Sequence, residues 1–193
     1  QVFRIVDSVD LEIDLYAQNN NDLIESIVAD GDSIGRIGIK ILYDGQVLDE
    51  NNGNSSFLID IPNGGTSFLI GNLIHQGEYA TNGNVISYGN EGLSNPNSEL
   101  YVINNTMVNN RNFCYDFLKI NNNSNFVKIF NNLFIDSTCN ITNYTGVIDA
   151  QTNILTNNPS VSNLSTYDYN LIPSSIAINA GSNPDSMGNF SLN

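Results

Sequence analysis

Short apolar runs alternate along the chain with stretches of asparagine, glycine and serine. The segments YVINNTMVNN (101–110) and VKIFNNLFID (127–136) share one pattern, an apolar strand that leads into paired asparagines. FLIGNLIHQG (68–77) and NILTNNPSVS (153–162) fit the same pattern. Alignment on one asparagine per segment gives steps of 33, 27 and 26 residues, with the aligned positions at Asn72, Asn105, Asn132 and Asn158. This period, with polar turns, predicts a stack of repeats built from short strands.

A second set of apolar runs lies between these segments. Its members are LIESI (23–27), FLIDI (57–61), VISYG (85–89), FLKIN (117–121) and VIDAQ (147–151). Each repeat therefore carries at least two strands. The chain lacks a leucine lattice, and a propeller blade needs about 40 residues. We predict one all-β domain over residues 1–193, a parallel β-helix (β-solenoid) of about six or seven coils.

Stacking of the coils also accounts for the asparagines, of which the chain has 35. Asparagine tolerates left-handed backbone, and its amide can hydrogen-bond the equivalent residue in the next coil. We therefore expect the aligned asparagines to form a ladder. We also expect an interior column of apolar side chains at Ile24, Ile59, Ile86, Leu118 and Ile148.

Charge narrows the range of partners. The formal net charge is −14, and only 13% of the residues are charged. Binding to nucleic acid or to an anionic membrane needs lysine and arginine, so both are disfavoured, whereas calcium binding is compatible with this charge. No apolar run approaches the ~18 residues of a membrane span.

Cys114 and Cys139 are 25 residues apart, roughly one repeat. They can form one disulfide or remain two buried thiols. With His75 as the only histidine, a zinc site is disfavoured.

Several segments resemble the later coils of right-handed parallel β-helix proteins of the pectate-lyase-like superfamily: IDIPNGG (59–65), IGNLIHQG (70–77), ISYGNEG (86–92) and LYVINNTMVNN (100–110). YDYNLIPSSIAINAG (167–181) resembles the closing motif of such helices, with Ile176 where proline is common and Asn179 where aspartate is common. The resemblance implies a right-handed helix, a C-terminal closing segment at about 165–193, and an extracellular or cell-surface location. It also implies that the N-terminal cap or early coils are missing, so an upstream segment or a like subunit is expected on the open coil end.

The superfamily includes polysaccharide lyases, hydrolases, epimerases, phage tailspikes and non-catalytic adhesins, so fold alone does not decide function. Alignment of the second set of strands predicts one outward column at Glu25, Asp60, Ser87, Lys119 and Asp149. By the chemistry of the superfamily, Glu25 and Asp60 are candidate calcium ligands and Lys119 is a candidate catalytic base. In a hydrolase, Asp60 and Glu25 are instead candidate paired carboxylates. Polar outward positions are also what an ordinary strand presents to solvent.

Other candidates come from aromatic and isolated polar residues. Tyr79, Tyr88, Tyr101 and Tyr115 are candidates for stacking on sugar rings, and Asp149 is a further candidate for carbohydrate binding. His75 is more typical of a hydrogen-bonding residue than of a catalytic base. Glu91 is more typical of a turn cap than of a ligand contact.

We therefore predict a β-helix module that binds polysaccharide or serves as a structural surface component. Two alternatives stay open: a polysaccharide lyase or glycoside hydrolase acting on an anionic polymer, and a self-assembling filament or tailspike-like subunit. The scarcity of basic residues favours the non-catalytic module.

Overall fold

A computed structural model defines the fold of the described residues, which are 27–28, 35–37, 57–78, 80–136, 138–158, 160–164 and 168–183. The regular elements there are β-strands, numbered β1 to β16 in chain order. Fourteen of these strands pair in parallel to form three sheets, and the other two form an antiparallel pair. Across these residues no helix has the length and hydrophobicity that a membrane span requires.

Each parallel sheet is built from strands that are distant in sequence. The first sheet contains, in order, β1 (Ile27–Val28), β3 (Ile59–Ile61), β6 (Asn84–Tyr88), β9 (Asp116–Ile120) and β12 (Asn140–Thr142). The second contains β2 (Gly35–Ile37), β4 (Ser67–Ile70), β7 (Glu99–Ile103), β10 (Phe126–Phe130) and β13 (Ile148–Gln151). The third contains β5 (Leu73–Gln76), β8 (Thr106–Asn109), β11 (Leu133–Ile135) and β14 (Ile154–Thr156).

The chain visits the three sheets in turn. The strands β3, β4 and β5 form one layer, and β6, β7 and β8 pair with them in register to form the next. We call each such layer a rung. The stacked parallel rungs agree with the predicted β-solenoid, while its hand and its number of coils remain predictions.

The core lies between the three sheets and consists of columns of apolar side chains from successive rungs. Each column joins residues paired in register and almost wholly buried: Ile59–Ile86–Leu118, Leu69–Val102–Ile129 and Ile74–Met107–Phe134. Residues alternate in and out along a strand, so the positions next to these columns face outward. Burial of the columns supplies the main stabilisation, at about 25 cal/mol per Å² of apolar surface.

An asparagine ladder runs between the second and third sheets. Asn105 Oδ1 accepts hydrogen bonds from the backbone N–H of Asn72 at 2.9 Å and from its side-chain amide at 2.8 Å. Asn132 Oδ1 does the same for Asn105, and Asn153 Oδ1 for Asn132. The residue before each ladder asparagine has a positive φ of 53° to 68°, at Gly71, Asn104, Asn131 and Thr152. The predicted stacking of Asn105 on Asn132 is confirmed.

Two parts of the predicted alignment are wrong beyond Cys139. The ladder continues to Asn153 rather than Asn158, so the last step is 21 residues. Ile148 belongs to β13 in the second sheet, opposite Val127, and is 39% exposed rather than interior. The reason is that β12 is short and polar, so a search for apolar runs passes over it and assigns VIDAQ to the wrong sheet. Ile24 lies outside the described residues.

The C-terminal part of the described chain covers the outer face of the third sheet. β15 (Val161–Asn163) and β16 (Asp168–Leu171) form the antiparallel pair. Leu164, Tyr169 and Ala177 pack against the buried outer residues of the sheet, which are Val108, Leu133 and Ile135. Residues 168–183 are the described part of the predicted closing segment.

Candidate functional site

Three of the five predicted column residues lie side by side on the outer face of the first sheet. Asp60, Ser87 and Lys119 are paired in register on β3, β6 and β9. Lys119 is exposed and Asp60 is half-buried, whereas the Ser87 side chain is almost wholly buried. Asn90 closes this group by donating to Ser87 Oγ at 3.0 Å and to the Lys119 carbonyl at 3.0 Å. We call these residues the acid–base strip.

The surroundings of Asp60 in the acid–base strip raise the pKa of its carboxyl group. Burial raises the pKa of Asp60 and nearby Glu91 adds to this, while a hydrogen bond from Ser87 and the charge of Lys119 oppose it. Its Oδ1 atom is shielded from solvent and has no hydrogen-bond partner. Asp60, a candidate calcium ligand, is thus half-buried, with one carboxylate oxygen shielded from solvent.

The raised pKa of Asp60 has a consequence for stability. A folded pKa above the unfolded value means that the folded state binds more protons, so stability falls as pH rises through the interval between the two values. When the pH is lowered from 7 to 4, we expect the free energy of unfolding to increase less for Asp60→Asn than for wild type. Urea unfolding at each pH measures this difference. Equal slopes for the two proteins would contradict the raised pKa.

The remaining members of the predicted column are not part of the strip. Asp149 lies on β13 in the second sheet, opposite Lys128, and its carboxylate is 3.6 Å from the Lys128 ammonium. The shift in alignment after Cys139 explains this misplacement. Glu25, the predicted partner of Asp60 in catalysis and calcium binding, lies outside the described residues.

Two of the four predicted sugar-stacking tyrosines, Tyr88 and Tyr101, are buried, and Tyr79 lies outside the described residues. Tyr88 is a core residue with no exposed surface, and its hydroxyl donates to the Gly65 carbonyl at 2.5 Å. The ring of Tyr101 stacks on Phe68 with centroids 4.7 Å apart, and burial raises the pKa of Tyr101 to about 12. Neither ring has a free face, so neither can stack on a sugar as the structure stands. The sequence did not show that both residues lie under other side chains.

Tyr115, the last of the four predicted tyrosines, is exposed. Tyr115 is 57% exposed, and its ring meets that of Phe113, a residue that is 47% exposed, edge to face at 4.4 Å between centroids. Tyr115 lies across Gly83, where an added Cβ would come within 2.7 Å of the ring. The lack of a side chain at Gly83 therefore permits this ring position. Exposed, fixed aromatic rings of this kind are typical contacts for sugars.

A polar cleft lies beside the aromatic pair, at the ends of β8, β11 and β14. Its volume is about 410 Å³, and its lining includes Asn109, Arg111, Asp136, Thr138, Asn157 and Leu164. The Arg111 guanidinium carbon is 5.9 Å from the centre of the Phe113 ring, which links the cleft to the pair. We call the cleft with Phe113 and Tyr115 the corner site.

Hydrogen bonds fix the floor of the corner site. Asn109 donates to Asp136 Oδ2 at 2.7 Å, and Asp136 Oδ1 accepts from the backbone and hydroxyl of Thr138 at 2.8 and 2.7 Å. By contrast, Asn109 Oδ1 and Arg111 Nη1 are shielded from solvent and have no hydrogen-bond partner. A buried polar group without a partner costs roughly 1–3 kcal/mol. No signal in the sequence groups these residues, because Asn109 and Arg111 lie at or just after the end of β8, whereas Asp136 and Thr138 follow β11 in the next rung.

A disulfide joins Cys114 and Cys139 next to the corner site, with their Cα atoms 5.0 Å apart. The ligand atoms of Cys114, Cys139 and Asp136 lie within 4.8 Å of one another, a spacing that suits a metal ion. Metal binding needs free thiolates, and in the disulfide neither sulfur is one. The bridge instead ties the segment before β9 to the segment before β12.

Two further predicted residues have structural surroundings. His75 is fully buried on β5, and its Nδ1 atom is 2.5 Å from the hydroxyl of Tyr169 in the C-terminal segment. Glu91 is exposed, and its backbone N–H donates to the Pro62 carbonyl at 3.1 Å in the turn after β6.

Comparison of the chain with protein-family models, with curated proteins and with solved structures finds no match.

Proposed function

We propose that the chain is a right-handed parallel β-helix module of the pectate-lyase-like kind that binds a polysaccharide outside the cell or at its surface. The three stacked sheets of parallel strands support the fold part of this proposal. The corner site supports the binding part, because it joins two exposed aromatic residues to a cleft lined mostly by polar residues.

The observation that most directly supports polysaccharide binding is the exposed pair of Phe113 and Tyr115. A folded chain normally buries large aromatic rings, and here two of them meet edge to face in solvent beside a cleft. The apolar face of a sugar ring can stack on such rings while its hydroxyls hydrogen-bond into the cleft. The partly exposed Arg111 supplies donors next to the rings.

The acid–base strip supports the alternative function, a lyase or hydrolase, less well. A lyase needs a carboxylate-bound cation, and one of the two carboxylate oxygens of Asp60, Oδ1, is shielded from solvent. A hydrolase needs a second carboxyl group; the predicted one, Glu25, lies outside the described residues, and among the described residues Glu91 lies near enough to raise the pKa of Asp60. Ser87 and Asn90 already hydrogen-bond each other, so they offer few free groups to a substrate.

Affinity electrophoresis in gels that contain neutral or acidic polysaccharides, with and without calcium, tests the proposal. We expect wild type to be retarded by at least one polymer. Tyr115→Ala should weaken binding about tenfold, equivalent to about 1.4 kcal/mol. Phe57→Ala, which removes the aromatic ring beside Lys119 in the strip, is the matched control and should bind as wild type does.

Three outcomes would contradict parts of this proposal. Migration unaffected by every polymer would exclude the binding function. Loss of binding in Phe57→Ala but not in Tyr115→Ala would move the site to the strip. Formation of ultraviolet-absorbing unsaturated ends, abolished in Lys119→Ala, would show a lyase instead.

A filament subunit is the second candidate, supported by the last rung. Within the described residues, β12, β13 and β14 end their sheets. Val147, Ile148 and Leu155 on this rung are 63%, 39% and 38% exposed. Apolar side chains on an open sheet edge favour stacking of a further strand. Elongated particles of many different lengths in electron microscopy would support a filament subunit over a monomeric binding module.

A further inference from the structure

The disulfide and Asp136 bring three ligand atoms together from two neighbouring turns of the stack. Cys139 Sγ lies 3.7 Å from Asp136 Oδ2, and the ligand atoms of Cys114, Cys139 and Asp136 all lie within 4.8 Å of one another. Zinc bond lengths and tetrahedral geometry place a sulfur ligand about 3.6 Å from an oxygen ligand. The spacing of Cys139 and Asp136 already matches this value, so zinc binding requires mainly that the two sulfurs separate.

The surroundings of Asp136 are those of a well-oriented carboxylate ligand. Asn109 donates to Asp136 Oδ2, and Thr138 donates to Oδ1 from its backbone and its hydroxyl. Such hydrogen bonds hold a metal-ligating carboxylate in position, and each carboxylate oxygen has two lone pairs, so Oδ2 can also bind a metal. Asp136 lines the polar cleft, which gives a metal ion and a water molecule a route to it.

We propose that the reduced form of the chain binds zinc through the thiolates of Cys114 and Cys139 and the carboxylate of Asp136, with water from the cleft as the fourth ligand. The disulfide and the zinc site are then alternative states of one cluster. Either state ties the segment before β9 to the segment before β12, so this corner of the stack stays joined under oxidising and reducing conditions. The inference does not depend on polysaccharide binding.

The donor set favours zinc over the hard divalent cations. Calcium and magnesium take oxygen ligands, whereas thiolates favour zinc. Each of the three ligands carries one negative charge in the reduced, metal-binding state, so the site attracts a divalent cation despite the positive charge of Arg111 in the cleft lining. The sequence disfavours a zinc site because histidine is scarce, and Asp136 supplies the ligand that histidine does not.

Conversion of the disulfide into the zinc site needs a reductant, for which a water-soluble phosphine serves. The phosphine supplies two electrons, which break the S–S bond, and it becomes a phosphine oxide by taking the oxygen atom of water. The two protons of that water molecule leave both cysteines as thiols. Zinc then replaces the two thiol protons, which are released to solvent.

Equilibrium dialysis against zinc, with and without the phosphine, tests the inference. We expect the reduced chain to bind one zinc ion more than the oxidised chain. Asp136→Asn, which keeps the size of the side chain but removes its charge, should weaken zinc binding to the reduced chain at least tenfold. Asp168→Asn, which removes a carboxylate on β16 away from the cluster, is the matched control and should bind as wild type does.

Urea unfolding distinguishes a folded site from binding to an unfolded reduced chain. Zinc should raise the urea midpoint of the reduced protein and leave that of the oxidised protein unchanged, because a ligand of the folded state stabilises that state. Recovery of native circular dichroism when zinc is added to a reduced, unfolded chain would also support the site.

Three outcomes would overturn the inference. Equal zinc uptake by the oxidised and reduced proteins would exclude the thiolates as ligands. Equal affinity of reduced wild type and reduced Asp136→Asn would exclude Asp136. An unchanged urea midpoint, or a reduced chain that stays unfolded with zinc, would exclude a site in the folded protein. The polysaccharide gels use the oxidised protein, so none of these outcomes bears on the proposed function.

Discussion

Replacement of Asn132 by alanine is expected to lower the free energy of unfolding by about 3 kcal/mol or more, because buried hydrogen-bonding groups lose their partners. Asn132 Oδ1 accepts from the backbone and side-chain amides of Asn105 at 2.9 Å, and Asn132 Nδ2 donates to the Val102 carbonyl at 2.8 Å. Both asparagines are only 1% exposed, so water cannot replace these bonds. Urea unfolding followed by circular dichroism measures the loss.

Asn104→Gly is the matched control for this prediction. Asn104 precedes a ladder asparagine, but its side chain is exposed and its φ is 55°, which glycine adopts without strain. We expect a change within about 0.5 kcal/mol. A loss at Asn104 as large as that at Asn132 would show that turn conformation, rather than the ladder, provides the stability.

The sequence was sufficient to predict the ladder because one physical requirement repeats in every rung. A left-handed residue followed by a buried amide recurs as Gly71-Asn72, Asn104-Asn105 and Asn131-Asn132. The fourth instance, Thr152-Asn153, departs from the pattern because threonine replaces the usual glycine or asparagine. Only the hydrogen bond from Asn132 identifies Asn153 as the next member.

The members of the acid–base strip could be predicted as far as Lys119 on β9. The prediction broke down at the next strand of the first sheet, β12, which is shorter. Asp60, Ser87 and Lys119 follow apolar residues in strands of similar pattern, so alignment placed them together. The predicted position of Asp149 was wrong because the next strand of the first sheet is the polar strand β12, which pairs with β9. Hydrophobic pattern detects strands that bury apolar side chains, and β12 contains none that is fully buried.

The corner site was beyond sequence reasoning for a different reason. Its residues come from the ends of strands and from the turns that follow, where insertions change the spacing between rungs. Which tyrosines remain exposed also depends on contacts between distant segments. Tyr101 is covered by neighbours such as Phe68, whereas Tyr115 lies over Gly83 with its outer face free.

Phe134→Ala should cause a loss of similar size from the centre of the core, about 3–5 kcal/mol. Phe134 on β11 has no exposed surface and meets Phe117 of β9 with ring centroids 5.0 Å apart, so the pair joins the third sheet to the first. Removal of the ring leaves a cavity that the stacked strands cannot close, because each strand is fixed by neighbours on both sides. Urea unfolding gives the change in stability.

A double-mutant cycle with Phe117→Ala isolates the contribution of the ring contact. We expect a coupling energy of about 0.5–1.5 kcal/mol between the two positions. Phe113→Ala is the control for the loss of a phenyl ring, since Phe113 is 47% exposed and should cost far less than Phe134. Equal losses of unfolding free energy in Phe113→Ala and Phe134→Ala would mean that Phe134 is not buried between the sheets. The stack of rungs would then need another source of cohesion between its first and third sheets.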